Sequence, residues 1–201
     1  MKKVIGLTGG IASGKTTVCK FIEKNGYQVI DSDKVSRELS EKGMPCFNAI
    51  ISTFGEEYLS FDGEIDRKKL GELIFGDFKS KELLNSITHP IIIDELVRRI
   101  NNVEEGIIFI EIPLLYECKL EYLCDKIICV YLAKDIQVKR LMARDGIDEA
   151  YANLKIDSQM DLNIKKSLAD FVVDTSKEYI EIEQQILEII KKIKGENVWQ
   201  Q

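Results

Sequence analysis

At 201 residues, 45% hydrophobic and 31% charged, the chain has the composition of an ordinary globular domain with ample material for a core. Its formal net charge of −6 argues against a nonspecific nucleic-acid binder, whose surface would be basic, while leaving room for a local basic pocket around a small anion. Five cysteines without a C-x-x-C pair and a single histidine make neither a disulfide framework nor a zinc site.

The N-terminus runs straight into a strand pattern, with no room for a signal peptide, and no apolar stretch approaches the roughly 18 residues of a membrane span. With an odd cysteine count, this predicts a cytoplasmic protein without a membrane partner. Residues 4–7 are apolar and β-branched, as a buried strand requires. Gly9 to Thr16 then read G-x-x-x-x-G-K-T, and the run after them places Val18, Phe21 and Ile22 at helical spacing before stopping at Asn25-Gly26. Strand, glycine turn and helix together make a phosphate cradle, in which backbone N–H groups and the positive end of the helix meet the anion. Gly9, Gly10, Ile11, Ala12, Ser13, Gly14, Lys15, Thr16 and Thr17 are therefore the expected nucleotide phosphate site. Lys15 would reach the β- and γ-phosphates and the Thr16 hydroxyl would hold Mg²⁺.

A second strand over residues 27–30 ends in Asp31-Ser32-Asp33. The two carboxylates alternate so as to face one side of an extended segment. One could bind an acceptor hydroxyl and take up its proton while the other orders Mg²⁺-bound water. The plainer reading has Asp31 end the strand and Asp33 cap a helix that begins near Lys34. About seventy residues follow before the next strand, far more than one crossover helix needs. Their patterns are helical: Phe47-Ile50-Ile51-Phe54, Leu70-Leu73-Ile74, Leu83-Leu84-Ile87, and then residues 91–100. An insertion of this size over the strand ends suits an acceptor-substrate domain. Within it, Arg67 of Asp66-Arg67-Lys68-Lys69 is a candidate for binding an anionic substrate. His89-Pro90 is expected to start a helix, with Pro90 at its first position.

The third strand, residues 107–112, carries Glu111 at the Walker B position, where a carboxylate can reach Mg²⁺ directly or through water. Ile112-Pro113 follow it rather than a second acid, so the water-activating pair of a motor is absent and phosphoryl transfer to a bound acceptor fits better. A fourth strand spans residues 126–132, and residues 169–173 form a weaker fifth. Between them, residues 135–144 are amphipathic, with Val138, Leu141 and Met142 on the apolar face. Arg140 and Arg144 share the other face, either as lid cations for the transferring phosphoryl group or as a solvated face with an Arg–acid pair. Asp145-Gly146 stop this helix and Asp148 can cap the next. A last helix from about Tyr179 puts Ile182, Ile186, Ile189 and Ile193 on one stripe, and residues 196–201 with Trp199 read as a tail without an assignable role. The βαβ alternation calls for a parallel sheet covered on both faces, with ligands beyond the carboxyl ends of the strands.

Taken together, these residues resemble the dephospho-CoA kinase family of P-loop kinases over nearly the whole chain. The resemblance rests on Leu7-Thr8-Gly9-Gly10-Ile11 leading into Ser13-Gly14-Lys15-Thr16, and on Ile30-Asp31-Ser32-Asp33 with Arg37 downstream. It continues through Asp66-Arg67 with Leu70 and Phe75, Thr88-His89-Pro90-Ile91, and Ile112-Pro113-Leu114-Leu115-Tyr116-Glu117. Arg140-Leu141 with Arg144-Asp145-Gly146, then Gln159 and Ala169-Asp170, complete it.

The resemblance implies a three-layer α/β P-loop kinase fold with a five-stranded parallel sheet, a helical substrate-binding insertion and a helical lid. In one domain, the core would take residues 1–33, 104–134 and 166–195, the insertion 34–103 and the lid 135–165. It implies ATP-dependent phosphorylation of the ribose 3′-hydroxyl of dephospho-CoA, the last step of coenzyme A synthesis. Asp33 would match the family's base, Arg140 and Arg144 its lid arginines, and Asp33, Arg37, Arg67 and His89 its substrate-binding positions. Thr16, Glu111 and Asp31 would serve the metal.

Four positions depart from the family's usual pattern: Ala12 for glycine, Glu111 for aspartate, Lys155 for arginine before Ile-x-x-Gln, and Thr175 for the asparagine after the fifth strand. A methyl group at Ala12 is tolerable where the backbone does not need φ > 0. None of the four touches Lys15, Thr16 or Asp33, so an active enzyme is expected. The rival readings are a kinase for another nucleoside or small-molecule hydroxyl, and a nucleotide-binding regulatory module.

Overall fold

A computed structural model describes residues 2–195, so the tail with Trp199 lies outside the described residues. Five strands, β1 (Lys2–Gly9), β2 (Gln28–Asp31), β3 (Gly106–Glu111), β4 (Lys126–Tyr131) and β5 (Phe171–Asp174), make one sheet in the order β2-β3-β1-β4-β5. The pairs β1–β3, β1–β4 and β4–β5 are parallel, as the helical crossovers require. Central β1 is buried over its last six residues, with Ile5 and Leu7 completely so. The register sets Leu7 opposite Glu111, Gly9 opposite Val130 and Tyr131 opposite Asp174, so the carboxyl ends of these four strands share one edge. No helix among the described residues is long and apolar enough to cross a membrane.

The chain divides into two compact units, one formed by residues 30–102 and the other by the segments before and after them. In the sheet-bearing unit, helix α1 (Lys15–Lys24) lays Val18, Phe21 and Ile22 on the core. Helix α9 (Tyr179–Lys194) contributes the expected stripe of Ile182, Ile186, Ile189 and Ile193. Helices α6 (Lys134–Asp145) and α7 (Glu149–Asp157) share a smaller cluster built on Val138, Leu141 and Ala152. Gly146, at φ 65°, terminates α6, and the Asp148 carboxylate accepts from Tyr151 N at 2.8 Å to cap α7, as its sequence predicts. The short helix α8 (Leu162–Leu168) packs on β1 and β4.

The 30–102 unit holds α2 (Ser32–Leu39), α3 (Pro45–Phe54), α4 (Arg67–Gly76) and α5 (Phe78–Asn101). Two expectations are corrected here. The cap of α2 is Asp31, not Asp33, and the helix starts at Ser32 rather than near Lys34. Asp31 keeps the extended backbone of the strand, φ −93° and ψ 112°, which is what a cap position needs, and its Oδ1 accepts from Lys34 N at 3.0 Å. Asp33 is therefore in the first helical turn, where a carboxylate favours the helix dipole.

His89-Pro90 likewise do not start a helix; they lie inside the 24 residues of α5. Thr88, just before them, donates its hydroxyl back one turn to Leu84 O at 2.8 Å, inside the continuous helix. The loss of one amide at Pro90, about 3 kcal/mol in an isolated helix, is offset by packing on both sides of the proline. Leu84 and Ile87 join Ile50, Ile65 and Leu70 in the core of this unit, and Leu96 and Ile100 are buried farther on.

Toward its end α5 carries Glu95, which accepts from Arg98 at 2.7 and 2.8 Å and from Arg99 at 2.8 Å, while Arg99 also donates to Glu38 of α2 at 2.6 Å. The Arg98 hydrogen bonds, helped by Arg99, pull the Glu95 carboxyl from its ordinary 4.5 down to about 2. A depressed carboxyl stabilises the fold above its unfolded value and loses that contribution as pH falls toward the folded one. Glu95→Gln is expected to lower the melting temperature by about 2 °C at neutral pH. The gap to wild type should close as pH falls from 4.5 toward 2 in a series of thermal melts.

Candidate active site

The turn between β1 and α1 is shaped by what its residues lack. Gly14, at φ 91°, caps α1 without a side chain, so the N–H groups and positive dipole of the first turn open onto the adjoining cavity. A Cβ on Gly10 would come within 2.5 Å of Gln137 Nε2, so only glycine lets α6 approach the turn so closely. Ala12 adopts φ 57°, so the methyl group sits in a left-handed conformation after all. Lys15 Nζ lies over the turn, donating to Gly10 O at 2.9 Å and Gly9 O at 3.3 Å.

A cavity of about 540 Å³ is lined by residues 12–17 together with Arg140, Arg144, Thr175, Lys177, Tyr179 and Ile182. Four cations, Lys15, Arg140, Arg144 and Lys177, thus gather on one hollow in a chain whose net charge is −6. Arg140 and Arg144, expected on one helical face, both reach it. Arg140 Nη2 donates to Thr175 O at 2.8 Å, which orients the guanidinium. Arg144 makes hydrogen bonds of 2.7 and 3.3 Å to Asp145, and Lys155 adds a third at 3.2 Å. The bonds from Arg144, then Lys155, hold the Asp145 carboxyl down at about 2.

At the end of β3, Glu111 Oε2 accepts from the buried Cys19 thiol at 3.1 Å. Among the described residues no group of three His, Cys, Asp or Glu side chains forms a protein cage for a metal. The oxygens of Thr16, exposed at the start of α1, and Glu111 are a hard donor set. They suit Mg²⁺, which takes one or two side-chain oxygens and completes its shell with phosphate and water.

In the 30–102 unit, Asp33 and Arg37 are exposed one turn apart on α2, with Arg37 Nε donating to Asp33 O at 3.2 Å. Arg67 is the exposed first residue of α4, whose cap Asp66 accepts from the Lys68 and Lys69 amides. His89 is half-buried midway along α5.

Several residues that support the site carry no local signal of their role. Gln137, on a helix that reads as amphipathic, is almost fully buried against the turn. Lys177 and Tyr179 line the cavity, although they read only as the approach to the last helix. Lys165, half of an ordinary Lys-Lys pair, is completely buried. Its Nζ binds Glu117 Oε1 and Pro113 O, both at 2.8 Å, while Thr8 Oγ1 donates to the same Pro113 carbonyl at 3.1 Å. Asp161, four residues before Lys165, caps α8 by accepting from Asn163 N and is the one local signal of a helix there.

A family model described as Dephospho-CoA kinase matches residues 3–181. The chain belongs to the dephospho-CoA kinase family. A dephospho-CoA kinase of Carboxydothermus hydrogenoformans is 43% identical over 194 residues, 95% of this chain and 94% of its own length. One from Enterococcus faecalis is 43% identical over 188 residues, 92% and 94% of the two chains. The solved dephospho-CoA kinase from Campylobacter jejuni matches with a TM-score of 0.73 at 31% identity, covering 97% of this chain and 99% of that one. The chain is therefore a kinase with the three-layer P-loop fold.

Against the family's usual pattern, the departures now have geometry. Lys155 keeps a charge on Asp145 and lies 5.1 Å from the Tyr151 ring centroid. Thr175, in place of asparagine, turns its hydroxyl inward to Ser13 O at 2.6 Å. Lys165→Met should cost about 3 kcal/mol in urea unfolding, the low end for breaking a buried pair, because the Glu117 side chain keeps 23% exposure. Adding Glu117→Gln should recover part of that loss.

Proposed function

We propose that the enzyme transfers the γ-phosphoryl group of ATP to the ribose 3′-hydroxyl of dephospho-CoA, giving coenzyme A and ADP, the final step of coenzyme A synthesis. One observation carries the reading: in a member of this family, a phosphate turn and four cations from three different segments converge on a single cavity. The turn amides and Lys15 hold the β- and γ-phosphates, and Arg140 and Arg144 stabilise the charge that spreads over the γ-phosphoryl oxygens in the transition state. Lys177 adds positive potential at the rim.

Asp33 orients the 3′-hydroxyl and accepts its proton as the new O–P bond forms and the β,γ-bridging bond breaks to release ADP. A loose transition state asks for that proton late, so an exposed carboxylate suffices. Arg37, Arg67 and His89 recognise the anionic acceptor. Thr16 and Glu111 would hold Mg²⁺, with Asp31 a candidate for its water shell; the bound ion neutralises phosphate charge. We divide the chain into a core, an acceptor insertion over residues 34–103 and a lid over 135–165, and we place the enzyme in the cytoplasm on the strength of its odd cysteine count. Family membership at this identity disfavours another acceptor and disfavours a regulatory module.

Asp33→Asn should lower kcat about a hundredfold with little change in the KM for ATP, measured by coupled ADP release. Lys15→Ala should lower kcat/KM by at least about a hundredfold. Wild-type turnover in Asp33→Asn would remove the proton-accepting role, and equal rates with adenosine and dephospho-CoA would overturn the acceptor.

A further inference from the structure

Both backbone groups of Ile11 are taken by lid glutamines. Its N–H donates to Gln159 Oε1 at 2.9 Å, and its carbonyl accepts from Gln137 Nε2 at 2.8 Å. Gln137 stands on α6 and is almost fully buried, and Gln159 follows directly after α7. The Ile11 carbonyl belongs to the peptide plane about which Ala12's φ is defined, and that φ is 57°. An alanine resists this left-handed conformation, because its Cβ crowds the following carbonyl and no polar side chain compensates locally. Something outside the turn must hold it. The candidates on hand come from the lid: the two glutamines, and the cluster of Val138, Leu141 and Ala152 in which Ile11 and Ala12 are packed. Gly10 completes the arrangement, since any larger residue would displace the Gln137 amide.

We propose that Gln137 and Gln159 are positioning residues for the nucleotide, clamping the Ile11 backbone so that Ala12 stays left-handed and the amides after it keep their aim at the phosphates. The proposal rests on the reading of this turn as the ATP site. It makes nucleotide affinity depend on two lid residues that touch neither phosphate nor acceptor. It also ties that dependence to alanine at this position: glycine adopts the same backbone at no cost and would need the clamp far less.

The test is a double-mutant cycle. Gln137→Met and Gln159→Met, which keep bulk and remove the hydrogen bonds, are each made alone and together with Ala12→Gly. Affinity is read as the Kd of the fluorescent analogue mant-ATP with Mg²⁺, and folding is followed by thermal melts. On the alanine background each glutamine change should weaken binding about tenfold, equivalent to about 1.4 kcal/mol; on the glycine background the loss should shrink to about twofold. The KM for dephospho-CoA at saturating ATP should not move. No loss in either single variant, or equal losses on both backgrounds, would overturn the clamp. Failure of the wild-type protein to bind mant-ATP would instead sink the ATP-site reading, and the clamp with it.

Discussion

Holding a polyphosphate in a chain that is itself acidic is the constraint to which the rest of the structure answers. With a net charge of −6 the molecule as a whole repels its substrate, so attraction must be concentrated locally. Main-chain amides supply part of it: Gly14 leaves the start of α1 without a side-chain cap, and the helix dipole adds positive potential there. The side chains supply the rest from separate places, Lys15 from α1, Arg140 and Arg144 from α6, and Lys177 from the segment after β5. These elements can meet only because β1 lies between β3 and β4 with the carboxyl ends of the strands at one edge. The parallel sheet is the means by which residues some 160 positions apart in the chain share one cavity.

Gathering charge at one edge requires polar groups to be buried behind it, and most of them are buried there in partnership. In the sheet-bearing unit the buried polar side chains are Thr8, Ser13, Gln137, Lys165 and Thr175, and of these only the Ser13 hydroxyl has no hydrogen-bond partner. Thr8 and Lys165 both donate to the Pro113 carbonyl at the exit of β3. Thr175 ties the end of β5 to Ser13 of the phosphate turn, and Gln137 ties α6 to Ile11. A buried polar group without a partner is costly, so each of these bonds also excludes alternative placements of the loop it holds. The loops at the strand ends are therefore fixed by hydrogen bonds of definite geometry, whereas the opposite ends of the same strands rely on simpler ties such as Asp125 accepting from Val4 N at 2.7 Å.

This division explains what could be read from the chain. The strand–turn–helix of the phosphate site and the isoleucine stripe of α9 are local patterns, with periodicities that fix which face is buried, and both stand where their spacing puts them. The cap of α7 is equally local. Asp31 and Asp33 are harder, because either can cap a helix, and the choice turns on how far the extended backbone of β2 continues. Pro90 misleads for a different reason: its local cost is real, but the packing of Leu84, Ile87 and Leu96 that outweighs it depends on other helices. Gln137 and Lys165 were illegible, because a polar residue on an amphipathic helix reads as solvated until something across the chain removes it from water. Their partners lie 126 and 52 residues away.

The same logic shows how the site absorbs its departures from the family pattern. Lys155 lacks the planar fork of an arginine, yet it shares Asp145 with Arg144. The Arg144–Asp145 pair is solvent-screened, with the arginine side chain 57% exposed, so it binds Arg144 only weakly. In the proposed transfer Arg144 would exchange the carboxylate for phosphoryl oxygens, a stronger and more directional partner for a guanidinium. On that proposal Lys155, 3.2 Å from Asp145, would keep the carboxylate partnered during the exchange. A lysine, with a flexible stem and a single ammonium head, is suited to following Asp145 without competing for the phosphoryl group. In this chain the loss of the fork at position 155 falls on a residue whose task is to hold a carboxylate, and a point charge can do that.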